Sequence, residues 1–235
     1  MITTDECKQC GGTGWLGYEK TDNGSVKFNK CECQQRRQID ILLGNPDIVG
    51  LTESDVLTFT FRSFKATRQA IPVAQSQAKA MAKVYKNWVA KKHIFLTVSG
   101  STGIGKTHLA KAAIVELIKK GERPFYSRAV ELNRQLRNFE DGEADRYRDR
   151  LTTTPYLVLD DVGVEHDPRG YLQSIYHGVI DDRYSYNLPT LVVTNLALDR
   201  QKKHSLANAI GVRAVSRLMS GQFFEMRGKD LRGEL

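Results

Sequence analysis

Long apolar runs are missing from this sequence. No segment approaches the roughly 20 apolar residues that a membrane-spanning helix needs, and the start MITTDECKQC has no secretory apolar region. These absences argue against a membrane partner and against secretion, so we expect a cytoplasmic protein. The composition, 40% hydrophobic and 26% charged, is typical of a globular chain with one large domain and an appendage.

Acidic residues are scarce in most of the chain. Residues 61–235 contain 29 Lys and Arg against 18 Asp and Glu, whereas residues 1–60 contain 6 against 9. The larger part therefore carries a net charge of +11 and the smaller part −3. A basic body favours a polyanionic partner, although a solvated basic surface explains the charge equally well.

The most informative motif begins at Gly100 and ends at Thr107. It fits G-x-x-x-x-G-K-[ST] between an apolar strand at residues 94–98 and a helical pattern that starts at Lys106. Glycines let the backbone wrap a phosphate, and the N–H groups at the helix start point at the anion. The Lys106 ammonium can reach the β- and γ-phosphates of a nucleotide. A glycine-rich turn that matches by chance is the alternative. The predicted nucleotide-binding residues of this segment are Gly100, Ser101, Thr102, Gly103, Ile104, Gly105, Lys106, Thr107 and His108.

Two carboxylates follow the apolar segment 156–159. At the tip of a strand beside the phosphate-binding loop of residues 100–107 (the P-loop), one carboxylate can hold Mg²⁺ and its neighbour can orient the attacking water. We assign Asp160, with Thr107, to magnesium and Asp161 to water activation; the alternative is a helix N-cap with a neighbouring acid. A second apolar strand ends at Asn195, which can reach the γ-phosphate or its water.

All four cysteines lie in the first 33 residues. Cys7-x-x-Cys10 and Cys31-x-Cys33 are two close pairs about twenty residues apart, a spacing that suits a tetrahedral thiolate site. A disulfide framework is not expected in a cytosolic protein, so we predict a structural zinc ion; redox or unligated thiols are the alternatives. Asn23-Gly24 predicts a hairpin turn between two short strands, and such a small module would need the metal to fold.

The motifs divide the chain into three parts. We predict a zinc-binding module with a short helix at residues 1–46, a linker at 47–58, where periodicity is absent, and the ATPase domain at 59–235. The alternating Phe59, Phe61 and Phe64 pack either on an adenine ring or in the core. Arg128, Arg134 and Arg137 are candidate DNA contacts, although a charge-rich helix is more often a solvated face.

The order of motifs resembles a known family. Five segments of residues 57–235 look like those of AAA+ helicase loaders of the DnaC/DnaI type, with IstB-like transposition ATPases as close relatives: the P-loop, LVLDD, VVTN, R-x-x-SRL and G-x-D-x-R. Some phage-type loaders also have a cysteine-rich N-terminus. The resemblance implies an α/β P-loop fold with a five-stranded parallel sheet sandwiched by helices. Because the chain ends three residues after Arg232, no helical lid domain is expected.

The resemblance also implies roles for single residues. Asn195 matches sensor 1, Arg217, with Arg213 beside it, matches the arginine finger offered to a neighbouring subunit, and Arg232 matches sensor 2. Lys106, Asp160, Asp161, Asn195 and Arg217 are then the catalytic set. One departure is that Asp161 stands where AAA+ proteins usually have Glu, and its shorter reach would slow hydrolysis.

The function that the resemblance implies is the ATP-dependent loading of a replicative hexameric helicase onto single-stranded DNA. ATP and Mg²⁺ would act at subunit interfaces of a ring or spiral, the N-terminal region would contact the helicase, and the host would be a bacterial or phage-infected bacterial cell. The alternatives are an IstB-like ATPase that regulates a transposase, a nucleotide-gated non-catalytic adaptor and a small-molecule P-loop kinase. Asn195 and Arg217 favour the loader over the kinase, for which no substrate-binding lid is found.

Overall fold

The structure of the protein is a computed structural model. It describes residues 7–21, 24–44, 49–65, 72–90, 94–137, 142–163, 167, 170–198, 201–202, 204–228 and 230. No helix within these ranges combines the length and the apolar character needed to cross a membrane.

The N-terminal region is a hairpin followed by a helix. Strands β1 (Trp15–Lys20) and β2 (Val26–Lys30) pair antiparallel, and helix α1 covers Glu32–Gly44. The predicted strands are confirmed. In the predicted Asn23-Gly24 turn, Gly24 has a left-handed backbone (φ +80°), whereas Asn23 lies outside the described residues. Both strands expose nearly every side chain, so the hairpin has no apolar core of its own.

The larger region is built on a five-stranded sheet with the order β4-β5-β6-β3-β7, in which every neighbouring pair is parallel. This confirms the predicted fold class. Strands β3, β5 and β6 were identified in the sequence as apolar runs, whereas β7 was not. The strands are β3 (Phe95–Gly100), β4 (Pro124–Arg128), β5 (Tyr156–Val162), β6 (Thr190–Thr194) and β7 (Gln222–Met226).

Helices cover both faces of this sheet. Alternate strand residues enter two separate apolar clusters: Val158 and Leu191 pack with α3 and α4, whereas Leu157 and Val192 pack with α5 to α9. This alternation follows from the two-residue period of a strand, and it buries the central strands from both sides. The helices are α2 (Glu53–Thr58), α3 (Pro72–Val89), α4 (Lys106–Lys119), α5 (Ala129–Leu136), α6 (Glu143–Thr153), α7 (Tyr171–Ser185), α8 (Leu206–Ile210) and α9 (Val212–Leu218).

The segment proposed as a linker contains structure that its sequence pattern did not predict. Val49 and Leu51 are buried, and α2 begins with a capping box in which Thr52 and Asp55 exchange side-chain and backbone hydrogen bonds. Asp55 also pairs with Lys111 of the P-loop helix α4 at 2.6 Å. Part of residues 47–58 is therefore attached to the ATPase core, while the three-part division of the chain stays a prediction.

Candidate functional site

The P-loop joins strand β3 to helix α4, as the sequence predicts. Two of its glycines have left-handed backbones, Gly103 with φ +77° and Gly105 with φ +95°. A methyl group at either position would collide with a neighbour, Asp230 at Gly103 and the Phe64 ring at Gly105. Only glycine suits both the conformation and the space, so the backbone can curve around a phosphate-sized group.

Lys106 is buried at the first turn of α4 and is held by three oxygens. Its Nζ donates to the carbonyl oxygens of Gly100 at 2.8 Å and Ser101 at 2.7 Å, and to Asn195 Oδ1 at 2.7 Å. Tyr85 donates its hydroxyl to the backbone carbonyl of Lys106. The ammonium of the P-loop and the polar side chain that directly follows β6 therefore contact each other, although 89 residues separate them.

Asp160 is completely buried at the end of β5. Its carboxylate accepts hydrogen bonds from the Tyr126 hydroxyl at 2.7 Å and from the Asp161 backbone N–H at 2.9 Å, and from Thr107. Burial raises the pKa of Asp160, although the hydrogen bond from Tyr126 opposes that shift. The structure therefore brings Asp160 and Thr107 together, as a shared magnesium site requires.

Asp161 lines the cleft, and its neighbour Asp160 is not among the described lining residues. The Asp161 backbone is left-handed (φ 58°), and the pairing of β5 with β6 shifts register between Leu159 and Val162. Such a bulge redirects a side chain, and Asp tolerates the left-handed conformation better than most residues. Asp161 Oδ2 then lies 3.7 Å from the guanidinium of Arg128 at the end of β4.

These residues surround one cleft with a volume of about 410 Å³. Four lining residues were not assigned to this site as nucleotide ligands or catalytic groups: Phe59, Lys111, Tyr126 and Arg128. Tyr126 and Arg128 lie on β4, the neighbour of β5, and the carboxyl ends of adjacent parallel strands meet at one edge. That rule could have placed both in the site. The full lining is Phe59, Thr102, Gly103, Gly105, Lys106, Thr107, His108, Lys111, Tyr126, Arg128, Asp161 and Asn195.

The aromatic residues ahead of α3 divide between cleft and core. Phe59 lines the cleft and meets the His108 ring edge-on at 5.1 Å between centroids. Phe61 and Phe64 are partly buried against the α3–α4 cluster. The side chain of Ile104, also predicted as nucleotide-binding, is fully buried, so only its backbone can meet a phosphate.

Arg217 projects from α9 and is not among the described residues that line the cleft. Its Nε donates to Asp181 Oδ1 at 2.8 Å, and its guanidinium lies over the Tyr184 ring at 4.7 Å. Arg213 on the same helix is exposed. Arg232, the predicted sensor 2 residue, lies outside the described residues.

The three arginines proposed as DNA contacts are each engaged within the chain. Arg128 faces Asp161 in the cleft, Arg134 pairs with Glu131 at 2.7 Å, and the Arg137 side chain donates to Asn133. Arg134 and Arg137 stay exposed on or just after α5. Their contact with DNA stays a prediction.

The four cysteines form a compact cluster in which every pair of sulfur atoms lies within 4.8 Å. Cys7 and Cys31 are 3.7 Å apart, and Cys10 and Cys33 are 3.5 Å apart. A tetrahedral zinc ion with Zn–S bonds of about 2.3 Å would place its sulfurs about 3.8 Å from each other, so the donor set fits the metal.

Hydrogen bonds within the cluster favour one thiolate. Burial opposes ionisation of Cys10. The Gly14 N–H donates a hydrogen bond to the Cys10 sulfur at 3.1 Å, and this bond, together with those from the neighbouring thiols, lowers the pKa of Cys10 to about 6. Burial and the neighbouring thiols raise the pKa of Cys33 to about 12. Cys10 is therefore the first of the pair to ionise.

Comparison with known proteins gives one family for most of the chain. The family described as IstB-like ATP binding protein matches residues 60–223. The replicative helicase loader DnaI of Bacillus subtilis is 25% identical over 183 residues, 77% of this chain and 58% of that protein. The replicative helicase loader DnaC of Escherichia coli is 26% identical over 166 residues, 69% of this chain and 63% of that protein.

A solved structure described as the DnaC helicase loader superimposes with a TM-score of 0.58 at 25% identity. The match covers 73% of this chain and 98% of that one. The aligned part of the chain spans less than two thirds of the length of either curated loader.

Proposed function

The chain belongs to the family of IstB-like ATP-binding proteins and is homologous to the DnaI and DnaC helicase loaders. On this basis, we propose that it loads a replicative hexameric helicase onto single-stranded DNA. ATP is hydrolysed at interfaces between copies of the chain, which assemble into a ring or spiral. The family supports ATP binding and ATPase activity in general. The loading of a helicase onto DNA is the proposal, and the similarity to loaders supports it.

One observation carries this proposal further than family membership. Arg217 is 47% exposed on a surface outside the cleft of its own chain, and the pairing with Asp181 and Tyr184 limits its rotamers. An arginine held outward in this way can enter the site of a second copy. There it would stabilise the charge that develops on the γ-phosphate.

Within the cleft, each residue of this chain has a separate task. On nucleotide binding, Lys106 exchanges its contacts with the Gly100 and Ser101 carbonyls for phosphate oxygens and releases Asn195. Asn195 is then able to orient the attacking water, with Asp161 as the base. Thr107 and Asp160 would hold Mg²⁺, which neutralises charge on the phosphates.

Arg128 adds a restraint that the family comparison did not suggest. While Asp161 faces Arg128, its carboxylate is directed along the cleft wall and partly neutralised. Asp161 is also one carbon shorter than Glu, so we propose slow hydrolysis by an isolated chain.

The N-terminal module would bind one Zn²⁺ through Cys7, Cys10, Cys31 and Cys33, since the cluster suits tetrahedral thiolate coordination. The metal supplies folding free energy to this module. We propose that residues 1–46 contact the helicase, which leaves the ATPase domain for assembly and for DNA.

The test is the turnover of Arg217→Ala measured against protein concentration, with single-stranded DNA present. We expect normal ATP binding by the monomer and a loss of turnover of about 10³-fold, the scale of arginine fingers in other nucleotide hydrolases. Arg148→Ala is the matched control, because Arg148 is an exposed arginine that pairs with a carboxylate of its own helix, Asp145, and has no assigned role in the site or in DNA binding. A surface ion pair is worth under about 1 kcal/mol, so this control should keep wild-type turnover.

Mixing two inactive variants sharpens the test. Arg217→Ala with Lys106→Ala should restore activity at interfaces that join an intact Lys106 site to an intact Arg217. The contrary result has two parts: the turnover per wild-type subunit does not depend on protein concentration, and Arg217→Ala is as active as the wild type. Together they would mean that each chain works alone, as a P-loop kinase does.

One second candidate is an ATPase that regulates a transposase on DNA, since the family is described as IstB-like and the motif order resembles that of IstB-like transposition ATPases. Both candidates need ATP-dependent assembly, so the partner distinguishes them. Stimulation of helicase loading supports the first candidate, and stimulation of strand transfer by a transposase supports the second. Nucleotide-dependent binding without any turnover would point to the non-catalytic adaptor.

A further inference from the structure

The N-terminal hairpin carries three aromatic rings that the ATPase core does not cover. Trp15, Tyr18 and Phe28 are 40%, 62% and 59% exposed. The ring centroids of Trp15 and Phe28 are 5.8 Å apart, and those of Tyr18 and Phe28 are 6.1 Å apart. The rings meet at 65° and 56° and are not stacked in parallel, so their contacts with one another leave ring faces open to a planar ligand.

Strand register places lysines beside these rings. Tyr18 pairs with Phe28, Lys20 with Val26, and Trp15 with Lys30, and residues two apart on a strand share a face. The register shift between Trp15 and Gly17 keeps Trp15 on this side. We call this surface the aromatic face. It consists of Trp15, Tyr18, Lys20, Val26, Phe28 and Lys30.

The carboxylate of the hairpin lies on the opposite face. Glu19 pairs with Lys27, and its Oε1 accepts a hydrogen bond from Asn29 at 3.0 Å. Among the described residues of the two strands, Glu19 is the one acid. The aromatic face therefore combines rings with positive charge and has no carboxylate that would repel an anion.

We propose that the aromatic face binds single-stranded nucleic acid, with bases stacked on the rings and Lys20 and Lys30 on the phosphates. Stacking on aromatic side chains in a positively charged groove is the usual way to hold a single strand without reading its sequence. This inference deepens the proposed function, because it assigns a DNA surface outside the ATPase domain. It rests on that function only for the choice of DNA as the strand.

The dimensions of the face suit a short stretch of strand. Lys20 lies opposite Val26 on β2. Val26 is four residues from Lys30 on the same strand, so the two lysines are about 13 Å apart along the strand direction. The aromatic sheets of other nucleic-acid-binding modules stack two or three bases. The interior of a protein–protein interface is usually depleted of lysine, so two lysines on this small face favour the polyanion.

The first test uses the tryptophan fluorescence of the protein itself. The chain has two tryptophans, of which Trp15 is exposed and Trp88 is completely buried, so a base can stack only on Trp15. Titration of the full chain with an oligothymidylate of about 20 nucleotides should quench the Trp15 emission. A Trp15→Phe variant keeps a ring and should lose the quench while retaining affinity. A duplex that quenches as strongly would overturn the inference, because paired bases do not offer their faces.

The second test uses variants of the full chain and fluorescence anisotropy of a labelled oligonucleotide. Phe28→Ala should weaken binding by about 5- to 150-fold, the range for the loss of one stacking ring. Tyr186→Ala is the matched control, since Tyr186 is 72% exposed on a different surface. Equal affinities of Phe28→Ala and the wild type would overturn the inference.

Lysine variants cover the case in which Phe28→Ala fails to fold. Lys20→Gln with Lys30→Gln should lower the slope of log affinity against log salt by about 1.4, or 0.7 per phosphate contact. Lys27→Gln, on the opposite face of β2, should leave the slope unchanged. Retention of one zinc per chain shows that each variant has folded. A slope that Lys27→Gln lowers equally would overturn the assignment of the face.

The remaining outcomes separate this inference from the proposed function. Quenching of Trp15 without any helicase loading would contradict the loader and support the DNA surface. If Phe28→Ala lost the helicase but kept the oligonucleotide, the face would dock a protein and the inference would be wrong. An oligouridylate that binds tightly while the oligothymidylate does not would remove DNA as the strand.

Discussion

Strands β1 and β2 of the N-terminal hairpin expose nearly all their side chains, whereas β3 and β6 of the ATPase core bury all but one. The core strands are covered by helices on both sides, and burial of apolar area is what stabilises them. The hairpin is joined instead to a cluster of four thiols. Within one chain, a large region thus depends on apolar packing, and we predict that a small one depends on a bound metal ion. The two regions should fail under different conditions.

Removal of metal should give the largest effect and should be confined to the N-terminal region. Structural zinc contributes about 10–16 kcal/mol to the folding of small domains at neutral pH. A chelator should therefore unfold the part of the chain from Cys7 to Gly44 that the structure describes, while the sheet persists. Elemental analysis before treatment and hydrogen exchange after it would measure both effects. Protein purified without chelator and found free of zinc and iron would contradict this prediction.

Trp88→Ala should produce the opposite pattern. Trp88 is completely buried, meets Tyr156 edge-on at 5.6 Å and donates its indole N–H to the Ile94 carbonyl. Its removal should lower the free energy of unfolding of the core by about 3–5 kcal/mol, measured by urea denaturation, with zinc content unchanged. Trp15→Ala, at an exposed site, should change the core by less than about 0.5 kcal/mol. If Trp88→Ala lowered the free energy of unfolding as little as Trp15→Ala, packing at Trp88 would not stabilise the core.

Lys106→Ala should remove the stabilisation of the core by bound ATP. A ligand at 100 times its dissociation constant stabilises a protein by about 2.7 kcal/mol, and this gain should disappear because the ammonium is the main mobile charge facing the phosphates. Thermal unfolding with and without ATP measures the difference. Lys119→Ala, at an exposed position of the same helix, should keep the full shift. An unchanged ATP shift in Lys106→Ala would refute the nucleotide site.

Asp55→Asn should give the smallest decrease in the free energy of unfolding, about 1 kcal/mol, because it weakens the capping box of α2 and removes the ion pair with Lys111. Partial burial opposes ionisation, but the hydrogen bonds from Lys111 and Thr52 lower the pKa of Asp55. A lowered folded pKa contributes stability at neutral pH that is lost as pH falls through it, below about 4.

The Asn variant should therefore lose less stability than the wild type on acidification. Glu53→Gln, in the first turn of α2, is the control and should keep the wild-type slope. Parallel pH profiles for Asp55→Asn and the wild type would show that the pair contributes nothing.

Local pattern predicted the elements whose information lies in adjacent residues. The P-loop between β3 and α4, the carboxylates that end β5 and the two cysteine pairs are each encoded within a few residues, because backbone conformation and ligand spacing are local properties. Helix α2 was missed, since six residues are too few for a period to emerge. Strand β7 was missed because its residues, Gln222–Met226, are mostly half-buried and do not form a continuous apolar run.

The sequence alone determined the nucleotide-binding loop, the fold class and the clustering of the cysteines. The tertiary structure decided that Lys106 meets Asn195, that Tyr126 supports Asp160 and that Arg128 faces Asp161. Each of these contacts joins residues of different strands or loops, whose proximity is set by the sheet order β4-β5-β6-β3-β7. The direction of Asp161 depends on a register shift against β6. Pairing between distant segments carries this information, and no short stretch of sequence contains it.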